Sequence, residues 1–147
     1  MSAIYKFLFP TKLDGTGVSL LLLAFRILFG VLLMSHGVQK LMNFDSLSTV
    51  FPDPLGVGSH ISLTLAIFGE LICSIGFILG AFYRLAMIPM IFTMCMAFFV
   101  FHANDPFSVK ELAFVYLGTF VILYIAGPGK YSLDYLIATE LQKRIHK

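Results

Sequence analysis

The chain has 147 residues, of which 59% are hydrophobic and only 12% charged, with a formal net charge of +2. Its mean hydropathy is +0.91, whereas a soluble domain carries about 25% charged residues. This excludes a water-soluble globule, and so small a net charge gives no reason to expect a nucleic-acid partner.

The opening stretch MSAIYKFLFPTKLDGTG has no short apolar core followed by a small-residue cleavage site, so no removable signal peptide is expected. A span needs about 20 mostly apolar residues to cross a hydrocarbon core of about 30 Å. The first such run covers 18–42. A longer loop follows, with Pro52, Asp53, Pro54, Gly56 and Gly58, and Ser59 is placed to N-cap the second run at 61–81. Only Phe82, Tyr83 and Arg84 separate it from the third run at 85–103, so these two helices form an antiparallel hairpin. Asn104, Asp105 and Pro106 close the third run. Ser108 and Glu111 have the spacing of a capping box that opens the fourth, at 109–126, and Gly127-Pro128-Gly129 stops it. In the tail, Leu133, Leu136, Ile137 and Leu141 share one helical face while Lys143, Arg144, His146 and Lys147 crowd the end, a pattern suited to an anionic leaflet.

Lys and Arg in short flanks set orientation. With the N-terminus inside, the inner side holds Lys6, Lys12, Arg84, Lys130, Lys143, Arg144 and Lys147, and the outer side only Lys40 and Lys110. The expected fold is therefore an all-α membrane protein: a four-helix transmembrane bundle over 1–131 with both termini cytoplasmic. Residues 132–147 are expected to form an amphipathic, basic interfacial helix.

Ionisable groups inside spans are costly and concentrate at functional sites. Glu70 lies near the middle of the second run, among Gly69, Cys73, Gly76 and Gly80. A rise of 1.5 Å per residue puts Arg26 roughly 12 Å below one face and Glu70 roughly 13–15 Å below the other. The two are thus expected at matched depth, as an intramembrane ion pair. Arg26, Gly30, Leu33, Gly37 and Lys40 share one face of the first run, and its small residues admit a close neighbour. Towards the outer end, His36, Lys40, His102 and Glu111 form a second polar layer, able to relay protons or hold a polar head group. Cys73 and Cys95 fall in different runs with no CxxC spacing and read as small apolar residues. No metal site is indicated.

Arg26-x3-Gly30, Gly37-x2-Lys40, Glu70 with Gly76 and Gly80, then Arg84, His102, Glu111 and the terminal GPGKYSLD resemble the DoxX family of small bacterial membrane proteins. The resemblance runs from about Ser19 to Tyr135. It implies a multi-pass bundle in the bacterial inner membrane and a link to respiratory or redox chemistry. Members of that family include the membrane subunit of an archaeal thiosulfate:quinone oxidoreductase, and others accompany sulfurtransferase and superoxide dismutase in oxidative-stress complexes. The family pattern marks Arg26, Lys40, Glu70, Arg84, His102 and Glu111 without giving them chemical roles.

The expected function is a membrane subunit, embedded in the lipid bilayer, that binds a quinone through His36, Lys40, His102 and Glu111 and works with a soluble or membrane redox partner. The alternatives are a non-catalytic anchor for a soluble redox protein and a small-solute transporter, for which a homo-oligomer is expected. A haem b between His36 and His102 ranks behind quinone as the cofactor. Catalytic residues are not assignable from the sequence.

Overall fold

Lipid-exposed backbone must satisfy its own hydrogen bonds, so apolar runs of this length become helices. The computed structural model describes residues 15–145, and all of its regular structure is helical. Lys6, Lys12, His146 and Lys147 of the expected basic flanks lie outside the described residues. Helix α1 spans Gly15–Met42, and a single short turn, α2, spans Phe44–Leu47. Helix α3 spans Ser59–Leu79, α4 Tyr83–Phe101, α5 Phe107–Ala126 and α6 Leu133–Ile145. Helices α1, α3, α4 and α5 are each long and apolar enough to cross a membrane. Their outward surface is apolar, with Leu28, Ile72, Ile88, Ile122 and Ile125 all exposed, as contact with lipid tails requires.

The helices pack as α1 on α3, α3 on α4 and α4 on α5. An aromatic column joins them. Tyr83 stacks on Phe77 at 5.6 Å between ring centroids, Phe77 meets Phe120 edge-on at 5.5 Å, and Phe120 stacks on Tyr116 at 5.7 Å. Tyr116 meets Phe29 of α1 edge-on at 6.0 Å, which closes the path from α5 back to α1. Met87, Met90 and Met94 fill the space between these rings and are buried, in line with the role of flexible thioethers as gap fillers.

Glycines fix the register of α1 against α3. A Cβ at Gly37 would stand 2.8 Å from the backbone N of Leu71 and 3.0 Å from the carbonyl carbon of Glu70. A Cβ at Gly30 would overlap the side chain of Ile78. The two contacts are seven residues apart on each helix, so the antiparallel pair keeps one alignment along its length.

At the opposite end of α3, Gly80 takes a left-handed conformation with φ 66°. Ala81 N–H donates to the Gly76 carbonyl and Gly80 N–H to that of Phe77, so α3 ends in a Schellman motif. The next residue but one, Phe82, also has positive φ (45°), unusual for a bulky side chain. Asp134, at the start of α6, holds this turn. Its two carboxylate oxygens accept hydrogen bonds from the backbone N–H groups of Phe82 and Tyr83, each at 2.8 Å. Helix α6 is thereby docked through its first turn, while Leu133, Leu136, Ile137 and Leu141 remain exposed.

Two expected caps are corrected. Helix α3 has Gly58, at φ 98°, as its N-cap, and Ser59 is already helical. Helix α5 starts at Phe107 after Pro106, with no side-chain cap, so Ser108 and Glu111 do not form a capping box. Pro106 accounts for the shift: its φ of −60° leads directly into the helix and places Ser108 inside the first turn.

Substituting Gly37 by Leu should destabilise the bundle by ~1–3 kcal/mol, the cost of overpacking a closed contact. Gly118 of α5 has no heavy atom within 4 Å of its would-be Cβ. Gly118→Leu should therefore leave thermal unfolding in detergent nearly unchanged, and equal losses in the two variants would contradict the register.

Candidate functional site: a cavity beside a buried lysine–glutamate pair

The register set by Gly30 and Gly37 decides which cation meets Glu70. Glu70 lies at the level of Gly37, and the partner one turn further along α1 is Lys40. Lys40 Nζ donates to Glu70 Oε2 at 2.5 Å. The Glu70 side chain is 6% exposed and that of Lys40 24%. A carboxylate this deep in a span survives because an ammonium neutralises it, and the lysine stem keeps its head near the end of the helix.

The expected Arg26–Glu70 pair is thus overturned. Arg26 lies fourteen residues before Lys40, or about 21 Å along the helix axis. It is buried at the other end of the bundle and makes three hydrogen bonds to main-chain carbonyls. Nη1 donates to Pro128 O at 2.6 Å, and Nη2 donates to Tyr131 O at 2.7 Å and Ile78 O at 3.1 Å. The guanidinium therefore stitches the Gly127–Tyr131 segment to the end of α3, where carbonyls are left without intrahelical donors. A guanidinium suits this task because its donors fan out in a plane. The depth estimate failed because it assumed that both spans begin at equal levels, and the glycine contacts offset them.

Around Glu70, α3 is wound as a π-helix from Phe68 to Ile72, and α4 is π-helical from Met96 to Phe101. Such segments are rare and frequently mark functional sites. Between them Pro89 supplies no N–H to α4. The Thr93 hydroxyl donates to the Pro89 carbonyl at 2.9 Å. A Cβ on Gly69 would stand 2.6 Å from Thr93 Oγ1, so α3 touches α4 closely here. Beside this crossing the two helices part.

The space left is a cavity of about 560 Å³. Its polar lining comes from Lys40, Glu70, Thr93, Ser62 and His102. Its apolar lining includes Leu65, Phe68, Ile88, Phe92, Met96 and Phe101. Five of these six, Met96 being the exception, are themselves exposed on the lipid-contacting surface. The cavity thus joins charged groups to apolar side chains that are exposed on α3 and α4. Its volume falls within the range of about 300–1,000 Å³ typical of small-molecule sites.

The 51–55 segment lies over the cavity, contributing Phe51, Pro52, Pro54 and Leu55 to its lining. Asp53 ties that segment to the start of α3. Its carboxylate accepts from the Ser62 hydroxyl at 2.7 Å, from Gly58 N–H at 2.7 Å and from Val57 N–H at 3.0 Å. These bonds, the Ser62 bond foremost, hold the Asp53 carboxyl below its ordinary pKa. Asp53 provides the capping that the sequence reading gave to Ser59.

The expected outer polar layer is divided. Lys40 and His102 reach the cavity, together with Glu70. His36 instead packs edge-on against Tyr116 at 6.1 Å between centroids and does not line the cavity. Glu111 is exposed on α5, also outside the lining. Arg84 is exposed with its guanidinium 5.8 Å over the Tyr124 ring. Cys73 and Cys95 are both free thiols. Among the described residues, no three His, Cys, Asp or Glu side chains are grouped to hold a metal ion.

Sequence reasoning missed three polar residues at this site. Asp105 pairs with His102, with Nδ1 and Oδ2 2.6 Å apart. Ser62 lines the cavity and donates to Asp53. Thr93 lines the cavity. The His102-x2-Asp105 spacing was the available signal for the first.

Fold and site together define a multi-pass membrane protein with a ligand-sized cavity between two transmembrane helices. The DoxX family model matches residues 21–103, which contain Arg26, Lys40, Glu70 and His102, and the chain belongs to the DoxX family. It is also similar to an uncharacterized protein of Haemophilus influenzae, 30% identical over 131 residues that cover 84% of this chain and 85% of that protein. No solved structure matches it.

In a double-mutant cycle read by thermal unfolding, Lys40→Met and Glu70→Gln should couple by ~0.5–3 kcal/mol, while Arg26→Met and Glu70→Gln should add. Coupling of Arg26 but not Lys40 to Glu70 would contradict the register. The Asp53 tether has a pH sign. Its folded-state pKa is depressed, so its contribution is present above the unfolded value of about 3.9 and is lost as pH falls through the lower folded value. A spin label on Val57→Cys, with Cys73 and Cys95 replaced by Ala, should gain mobility upon acidification through that range. In an Asp53→Asn background the label should be mobile already at pH 7, with little further change.

Proposed function

We propose that this protein binds a lipid-soluble quinone in the cavity between α3 and α4, as the membrane subunit of a redox assembly. The observation that carries this reading is the pairing, on one cavity, of charged groups with exposed apolar side chains of two membrane-spanning helices. A quinone has the same division. Its ring carries two carbonyl oxygens that need donors, and its isoprenoid tail belongs in the bilayer. Lys40 offers an ammonium to one oxygen, and His102 lines the same cavity. Leu65, Phe68, Ile88 and Phe92 flank the exit that the tail would take. Membership of the DoxX family, some of whose members are subunits of quinone-linked oxidoreductases, supports the same assignment.

His36 and Glu111, expected in the same pocket, have no part in this reading because neither lines the cavity. A haem between His36 and His102 fits poorly, since His36 lies against Tyr116 and does not line the cavity that His102 lines. The exposed apolar stripe of α6, with Lys143 and Glu140 paired at 2.7 Å beyond it, favours a helix lying along the bilayer interface. That placement gives the cytoplasmic side a surface on which a soluble redox partner docks, and so keeps the anchor reading as a companion to quinone binding.

Titration of the purified protein in lipid nanodiscs with a short-chain benzoquinone should give saturable binding. Lys40→Met should weaken it roughly two- to tenfold, and His102→Ala should weaken binding of the hydroquinone form by a similar factor, each the worth of one net hydrogen bond. Absence of saturation, or binding indifferent to both substitutions, would overturn the proposal.

A further inference from the structure

The contacts of His102 carry information about the redox form of the ligand, granted the quinone site proposed above. The histidine sits where the π-helical end of α4 stops, with its backbone N–H bonded to the Ala97 carbonyl at 3.0 Å. Its own carbonyl accepts from Asp105 N–H at 3.1 Å, and Lys110 Nζ donates to the carbonyls of His102 and Ala103 at 3.2 and 3.0 Å. Lys110 also stands 5.3 Å over the Phe98 ring, and the Phe101 ring lies 4.5 Å from the imidazole. The 102–105 turn is therefore fixed by several bonds, and the imidazole is fixed with it.

Within that turn the imidazole Nδ1 faces Asp105 Oδ2 at 2.6 Å. A carboxylate accepts hydrogen bonds and does not donate them, so it selects the tautomer with the proton on Nδ1. The neutral ring is then left with a bare Nε2. A bare nitrogen accepts an O–H and cannot donate to a carbonyl. On the same cavity, the Lys40 ammonium can only donate. The two groups thus ask for different oxygens: a hydroxyl at His102 and an acceptor oxygen at Lys40. A hydroquinone satisfies both, because each of its oxygens accepts as well as donates. A quinone satisfies only Lys40.

We propose that the Asp105–His102 pair makes the cavity selective for the reduced, hydroxyl-bearing form of the ligand, with Asp105 as a positioning residue that acts through the histidine tautomer. Neither electron transfer nor proton release is needed for this selectivity, which is a property of binding alone.

The test compares the dissociation constants of the hydroquinone and quinone forms of one short-chain benzoquinone. Binding is measured anaerobically in nanodiscs at about pH 8.5, well above the ordinary imidazole range near 6.5. The wild-type protein should favour the hydroquinone roughly two- to tenfold, the value of one net hydrogen bond. In Asp105→Asn the side-chain amide can donate to Nδ1 as readily as it can accept, so the tautomer is released and the preference should fall towards unity. The Asp105 side chain is 46% exposed, so this isosteric change leaves the fold in place, and ¹⁵N chemical shifts of the His102 ring report the tautomer independently of any ligand. Equal affinities in the wild type, a preference for the quinone, or a ratio that Asp105→Asn leaves unmoved would overturn the inference while leaving the quinone site standing. Failure of both forms to bind the wild-type protein would overturn the quinone site and the selectivity with it.

Discussion

The Lys40–Glu70 ion pair is the contact around which the candidate site is arranged. A carboxylate buried in a span must find a counter-charge, and an unpaired one would drive local water entry or protonation. Pairing with a lysine near the end of α1 satisfies this at low cost, because the lysine side chain stays partly exposed. It also leaves the pair on a cavity wall instead of sealed between helices. The same contact therefore both stabilises the packing of α1 on α3 and presents charge to whatever enters between α3 and α4.

Two cations on one helix face have become two different devices. Among the described residues Arg26 has no carboxylate on its nitrogens, and it serves main-chain carbonyls of the Gly127–Tyr131 segment and of α3. It thereby holds the segment that leads into α6, and Asp134 of α6 in turn caps the start of α4. That end of the bundle is a closed structural knot. At the other end the π-helical segments lie beside the close contact of Gly69 with Pro89 and Thr93, and the polar groups face a cavity next to it. Separation of structural and cavity-facing polarity to opposite ends lets the cavity be open without loosening the bundle.

Much of this architecture was legible before any coordinates. Four apolar runs of span length, punctuated by Gly, Pro and Asn, leave little freedom in the number and order of the helices, and Phe82, Tyr83 and Arg84 leave room only for a tight hairpin. The burial of Arg26 and Glu70 was legible too, since lipid hosts neither. Their partners were not. Depth counted from the ends of apolar runs carries an uncertainty of a turn or more, whereas ion pairing is decided within a few ångströms. The signal that would have resolved it was the seven-residue spacing of Gly30 and Gly37, which a long helix matches only with positions seven apart on its neighbour. The split of His36 and Glu111 from the cavity depends on helix rotation, and a uniformly apolar helix such as α5 encodes that poorly. Asp53 as the cap of α3 was hidden by distance in sequence, because Gly58 offers no side chain and the carboxylate arrives from five residues upstream.

The central claim is that a lipid-soluble ligand occupies the space between α3 and α4, with its ring at Lys40, Glu70 and His102. The most direct measurement is photolabelling with a ring-substituted, photoreactive benzoquinone in native-like membranes, followed by mapping of the modified peptides. The account predicts modification concentrated on residues 62–70 and 88–102, competed away by excess short-chain benzoquinone. Modification spread along the lipid-facing sides of α1 and α5, undiminished by competitor, would contradict it.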